Sequence, residues 1–206
     1  MALRVTHLAR VLAIVCAAPA LHAEPTERHH IELSAAGGPA FPRCTRACSD
    51  VKTGYAFGAN ARFRVSRSWA MGARLERGWF PWSPAGASDQ HATTTLAAVG
   101  FRYHAFRFDR VDPYLELDAG SMSVGATGEH DPAPRTFVAL VPAVGVDVYA
   151  MSLFALGLRG SYEFGLVNQS GYAEPKSSDA PALPGIAGVG TLSLVVTFGV
   201  GPRLVR

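Results

Sequence analysis

The sequence predicts an all-β protein, an eight-stranded antiparallel up-and-down transmembrane β-barrel with four long outer loops and three short turns on the periplasmic side. Three observations predict it. Apolar residues recur at every second position through eight segments, which is the period of a strand. Long and short connections alternate between those segments, as they do when a chain runs up and down a barrel. The chain of 206 residues is 49 % hydrophobic and only 17 % charged. That is little charge for a soluble surface, yet past the N-terminus there is no clean run of about 18 apolar residues to make a membrane helix. The same composition excludes a disordered chain, and glycines without a period of three exclude a collagen-like repeat. A net charge of +3, with Lys52 and Lys176 as the only lysines, supports no nucleic-acid partner.

Residues 1–23 read as a secretory signal peptide. Arg4 and Arg10 precede the apolar stretch Val11 to Ala18, and the small-residue sequences Ala-Pro-Ala and Leu-His-Ala follow. These are the basic region, apolar core and cleavage site of an export signal. Cleavage is expected after Ala23, with Ala20 as the alternative. A short anchor helix is the competing interpretation, but the apolar core is below spanning length. The mature domain, 24–206, then keeps Cys44 and Cys48, an even number in an oxidising compartment, which are expected to form one disulfide. A ring this small contributes about 2 kcal/mol of loop entropy, so it shapes a loop more than it holds a fold.

The strands are expected, in order, at 29–40, 53–65, 69–79, 93–105, 113–125, 136–149, 154–167 and 189–202. The second sets Tyr55, Phe57, Ala59, Ala61, Phe63 and Val65 against Gly54, Ala56, Gly58, Asn60, Arg62 and Arg64. The third sets Trp69, Met71, Ala73 and Leu75 against Gly72, Arg74, Glu76 and Gly78. The seventh and eighth repeat the rhythm through Phe154, Leu156 and Leu158, and through Leu192, Leu194, Val196 and Phe198. Each segment is at least the ~9 to 11 residues with which a tilted strand crosses a bilayer. Phe137 to Leu158 is also long and apolar enough for a helix, but Pro142, Gly145, Asp147 and five valines argue for strand. Pro142 removes a ladder hydrogen bond, so a bulge is expected there.

The polar faces of the strands carry Gly, Ala, Ser and Thr with single charges, whereas a solvated outer face would be dense in Lys, Glu, Gln and Asn. Small residues and isolated charges suit the narrow interior of an eight-stranded barrel. That face holds Glu32, Glu76, Glu116, Asp118, Asp147 and Glu163 against Arg62, Arg64, Arg74, Arg102 and Arg159. Near balance between acids and arginines predicts a lumen plugged by ion pairs, because an unpaired buried charge is costly and the arginine fork suits shared carboxylates. The competing interpretation has these charges facing solvent on a soluble barrel. Aromatic girdles are expected where the apolar bands end. Trp69, Tyr103, Phe106, Phe108, Tyr114, Tyr149 and Phe154 lie near the short turns, and Phe41, Trp79, Phe80, Trp82, Phe137 and Phe164 near the long loops.

On these features the sequence resembles the eight-stranded bacterial outer-membrane barrels typified by the OmpA transmembrane domain and OmpX. The resemblance rests on the signal peptide, the eight alternating segments, the four long loops, the Gly-rich strands and the last segment, Leu192-Ser-Leu-Val-Val-Thr-Phe-Gly-Val. It implies a bacterial outer-membrane location. Family members often end on an aromatic residue, whereas here eight residues follow Phe198.

No catalytic, cofactor-binding or metal-ligating set emerges. His104, in Arg-Tyr-His-Ala-Phe, lacks the serine two residues on that lipid A deacylases of this architecture carry, and no nucleophile pairs with it. It is expected to be an interior or interfacial side chain. His29 and His30, at the very start of the first strand, are expected to be a frayed, solvated pair, and Gly185, Gly188 and Gly190 match no dinucleotide fingerprint. The expected role is therefore non-enzymatic, structural or in surface interaction through the loops; a lipid A-remodelling barrel enzyme and a soluble periplasmic ligand-binding barrel are the alternatives. Expected partners are outer-membrane lipid and lipopolysaccharide, the latter because segment 42–52 carries Arg43, Arg46 and Lys52 against Asp50. A monomer with no cofactor is expected.

Overall fold

A computed structural model of the chain describes residues 29–44, 51–83, 90–105, 110–127, 134–151, 153–166 and 186–203. The signal segment and Cys48 lie outside them, so the disulfide with Cys44 does too. Eight strands follow in order: β1 (His29–Cys44), β2 (Gly54–Arg64), β3 (Trp69–Trp82), β4 (Gln90–His104), β5 (Val111–Thr127), β6 (Arg135–Met151), β7 (Phe154–Leu166) and β8 (Ile186–Arg203). Each pairs antiparallel with its neighbour in sequence, and β1 pairs with β8 to close the barrel.

Strict alternation of burial along β2 and β3 is the structural form of the period-two sequence. Successive side chains leave a strand on opposite faces, so one parity fills the interior and the other forms the outer surface. The outward parity is apolar: Leu33, Phe57, Leu75, Val99, Phe101, Leu117, Val138, Leu158 and Leu194 are all exposed. The run from Phe137 to Leu158 forms β6 and the start of β7, and no helix among the described residues is long and apolar enough to cross a membrane.

Two local features differ from the sequence-based expectation. Opposite Pro142, the ladder to β7 is interrupted between the pairs Leu140↔Phe164 and Ala143↔Ser161 without any change of register, so there is a gap rather than a bulge. The register shift on that ladder falls between Tyr149 and Met151, at the short-connection end. Pro39 interrupts the β1–β8 ladder in the same manner, between Gly37↔Leu194 and Ala40↔Thr191. In both cases proline lacks the N–H the neighbouring strand would accept. The second difference is strand length. Toward the connections 45–53, 83–89, 128–134 and 167–185, β1, β3, β4, β5, β6 and β8 all run past their expected ends. Their added residues include Phe41, Phe80, Trp82, Gln90, Ala126 and Ile186, and several of these pack inside the barrel.

The interior divides across its height. Near the connections 65–68, 105–110 and 152–153 it is charged. Toward the opposite end it is a hydrophobic cluster of Ala40, Ala56, Phe80, Trp82, Ala92, Leu96, Met122, Val124, Val141, Ile186, Val189 and their neighbours.

Candidate functional site: the packed lumen

The eleven charged residues expected in the lumen, Glu32, Arg62, Arg64, Arg74, Glu76, Arg102, Glu116, Asp118, Asp147, Arg159 and Glu163, are all buried inside the barrel. Asp112 and His104 join them. The inward parity of β5 runs through Asp112, Tyr114, Glu116 and Asp118, so Asp112 belongs to the set; the strand start expected at residue 113 hid it.

The side chains form one continuous network. At the short-connection end Arg64 donates from Nε to Glu32 Oε1 at 2.6 Å and from Nη2 to Asp112 Oδ2 at 3.2 Å. His104 Nδ1 lies 3.0 Å from the same Asp112 oxygen, and the Tyr149 hydroxyl donates to Glu32 at 3.5 Å. Arg102 links this group inward: Nη1 is 3.6 Å from Glu32 and 3.3 Å from Asp147, while Nε donates to Glu116 at 2.6 Å. Arg62 Nη2 lies 3.3 Å from Glu116 and 3.1 Å from each oxygen of Asp118. Arg74 continues the chain, with Nη1 4.0 Å from Asp118 and Nη2 2.5 Å from Glu76, 3.0 Å from Ser161 Oγ and 3.9 Å from Glu163. Arg159 shares the Glu76 oxygen at 3.3 Å, and Ser161 bonds Thr191 at 2.6 Å.

Every arginine in this interior touches at least one carboxylate, and Arg62, Arg64, Arg74 and Arg102 each touch two or more. Shared carboxylates satisfy several forks at once, which is what keeps buried charges from being ruinous. Seven carboxylates face five guanidiniums, an acid excess that includes Asp112 beside His104.

Tyr114 shows how closely the wall approaches. Its ring lies opposite Gly145 on β6, where a Cβ would collide with the phenol, and the Arg102 guanidinium sits 3.9 Å over the ring centroid. Glycine at 145 is therefore required by the ring, and the cation over the ring adds a cation–π contact.

The girdle assignment splits by parity. Trp69, Tyr103 and Trp79 face outward, and the Trp69 and Tyr103 rings meet at 4.9 Å. Tyr114, Tyr149 and Trp82 are corrected: they are 1 %, 6 % and 4 % exposed and lie inside the barrel. Each shares the parity of inward residues on its own strand, Tyr114 with Glu116, Tyr149 with Asp147, and Trp82 with Glu76 and Phe80. Position along a strand sets height, but parity sets face, and the expectation used height alone. Phe80, also expected in a girdle, is fully buried in the apolar cluster.

Charge is sorted between the two faces. Every described Asp and Glu is buried in the lumen, whereas the exposed charges among the described residues, Arg43, Lys52, Arg67, Arg77 and Arg110, are all cationic. Of the cationic segment 42–52, Arg43 and Lys52 are exposed and Arg46 and Asp50 lie outside the described residues. Among the described residues no group of three or more His, Cys, Asp or Glu is arranged to hold a metal ion.

No protein-family model matches the sequence, and neither does any curated protein. Among solved structures the chain is similar to Neisserial surface protein A, at 15 % identity and a TM-score of 0.54, over 82 % of this chain and 96 % of that one. It is similar to the outer membrane protein OprG of Pseudomonas aeruginosa at 10 % identity and a TM-score of 0.53, over 86 % of this chain and all of that one. The N-terminal β-barrel domain of OprF from the same organism aligns at 13 % identity and a TM-score of 0.50, over 82 % and 97 % of the two chains. The likeness is one of fold: this chain is a closed eight-stranded barrel like these outer-membrane proteins.

Proposed function

We propose that the protein is an integral protein of the bacterial outer membrane, exported by its signal segment, that acts without catalysis through its loops, in envelope structure or surface interaction. The observation that carries this reading is the filling of the lumen: a paired arginine–carboxylate network occupies one half and a hydrophobic cluster the other. Filling of both halves supports a closed lumen over a water-filled channel. Its apolar outer belt is the surface a bilayer stabilises and water does not, which speaks against a soluble ligand-binding barrel. A lipid-remodelling enzyme would need its acid–base pair open to lipid. The His104–Asp112 pair instead lies buried in the lumen, which speaks against that reading. Lipid of the outer membrane, including lipopolysaccharide, is the partner the cationic surface suits, and a monomer suffices because the barrel has no open edge.

Fractionation decides the first part: the protein is expected with outer membranes, with heat-dependent gel mobility, and recovery as a soluble periplasmic monomer without detergent overturns it. Planar-bilayer recordings are expected to show no stable conductance. Mass spectrometry of lipid A from overexpressing cells is expected to match the control; a new acylation state would establish the enzyme instead.

A further inference from the structure

The outer wall is not uniformly convex. Across β8, β1, β2 and β3 it carries a groove of about 460 Å³, floored by Ala35, Ala59, Ala61 and Ala73, walled by Leu33, Leu75 and Phe198, and touched by Ser34 and Asn60. Register explains the hollow: Ala35 pairs with Ala59 and Ala61 with Ala73, so four methyl side chains meet where the neighbouring outward positions carry large ones.

The groove has a polar rim at one end only. One outward step up β3 from Leu75, about 7 Å toward the 83–89 connection, stands Arg77, exposed, with its guanidinium 5.4 Å from the centroid of the Trp79 ring. Its register partners are Phe57 and Thr95, and the outward row continues from Thr95 to Ser123 and Thr136, whose hydroxyls bond at 2.8 Å. None of these neighbours is a carboxylate. Every described acid lies inside the lumen, so among the described residues Arg77 has no anionic partner on this face. An arginine on an apolar wall, held at the level of a tryptophan with hydroxyls beside it, suits a phosphate at a membrane interface.

We infer that this face is a binding site for one anionic, phosphate-bearing membrane lipid, its headgroup on Arg77, Trp79 and Thr95 and an acyl chain laid in the alanine-floored groove below. This rests on the membrane-barrel reading and gives it a specific lipid contact outside the loops. The long-connection end is the outer-leaflet end in that reading, so the lipid belongs to the outer leaflet. Charge complementarity chooses the occupant: a neutral lipid would leave Arg77 unmatched, and an acidic protein segment would not need a groove lined mostly by apolar side chains.

The test uses full-length protein refolded into phosphatidylcholine vesicles containing spin-labelled phosphatidic acid or spin-labelled phosphatidylcholine. The measured quantity is the relative association of the two labelled lipids with the barrel. The wild type is expected to prefer phosphatidic acid, and Arg77→Gln to lower that preference about fivefold, the worth of one basic residue near a lipid surface. Ala61→Phe, which fills the groove from the outer face and leaves Arg77 in place, is expected to lower it too. Lys52→Gln removes an equal charge from the same end, outside the groove, and is expected to lower it by less than Arg77→Gln does. Heat-dependent mobility verifies that each variant is folded. Equal association of both lipids with wild type, no response to Arg77→Gln or to Ala61→Phe, or an equal loss in Lys52→Gln, each overturns the site. Failure of the wild type to enter vesicles at all would instead overturn the membrane reading on which it rests.

Discussion

Around Arg102 three carboxylates and a tyrosine ring converge within 4 Å, while the cluster that holds Phe80, in the opposite half of the same lumen, is built of alanine, leucine, isoleucine, methionine, valine and tryptophan. The two halves fill the same cylinder by different means. In the charged half each side chain is tolerated only because named partners are present, so removing one strands the others. In the apolar half what matters is volume, and a deletion costs in proportion to the hole it leaves. The lesson is that a filled lumen is two separable seals, one specified by pairing and one by size.

The largest expected effect breaks the first seal. Arg102→Ala leaves Asp147 without its arginine and takes one of two arginines each from Glu116 and Glu32, and a buried charge left without its partner costs about 3–5 kcal/mol; urea unfolding in lipid vesicles, followed by tryptophan fluorescence, would register it. Replacing Leu96 by alanine in the second seal is expected to cost about 2–3 kcal/mol, by cavity formation alone. The comparison sharpens if salt is varied in the same assay. Raising ionic strength should change neither value, because the ion pairs are shielded from the Debye atmosphere. Smaller again is Gly145→Val, which drives a side chain into the Tyr114 ring for about 1–3 kcal/mol. Smallest is Tyr149→Phe, which removes a 3.5 Å hydrogen bond to Glu32 and should cost no more than about 1 kcal/mol. Should Leu96→Ala exceed Arg102→Ala, the division of labour between the halves is wrong.

Much of this was legible in the sequence because period two is a binary code. Once Glu116 and Asp118 are assigned inward, Tyr114 and Asp112 follow by parity. The same logic places Tyr149 with Asp147 and Trp82 with Glu76. Their misplacement came from reading aromatic residues by height, which a girdle and a packed interior share. Two things could not be read from spacing. Which carboxylate meets which guanidinium depends on neighbours far apart in sequence, such as Arg159 with Glu76 and Arg64 with Asp112, brought together only by barrel closure. The alanine-floored groove is likewise invisible along any one strand, since it arises where small residues from three strands come into register.

The ladder joining β1 to β8 has a kinetic consequence. The other seven pairings join strands that follow one another in sequence, and each can form as a hairpin. The seam instead pairs residues as distant as Ile31 and Val200, so it closes the longest loop of the fold and carries its largest single loop-closure entropy. Until it forms, the sheet has two bare edges open to pairing with other chains. It is also the ladder that Pro39 interrupts. Closure of this seam is thus the step that sets how fast the chain matures and how long it stays vulnerable, and changes along β1 or β8 should register in assembly rate before they register in stability.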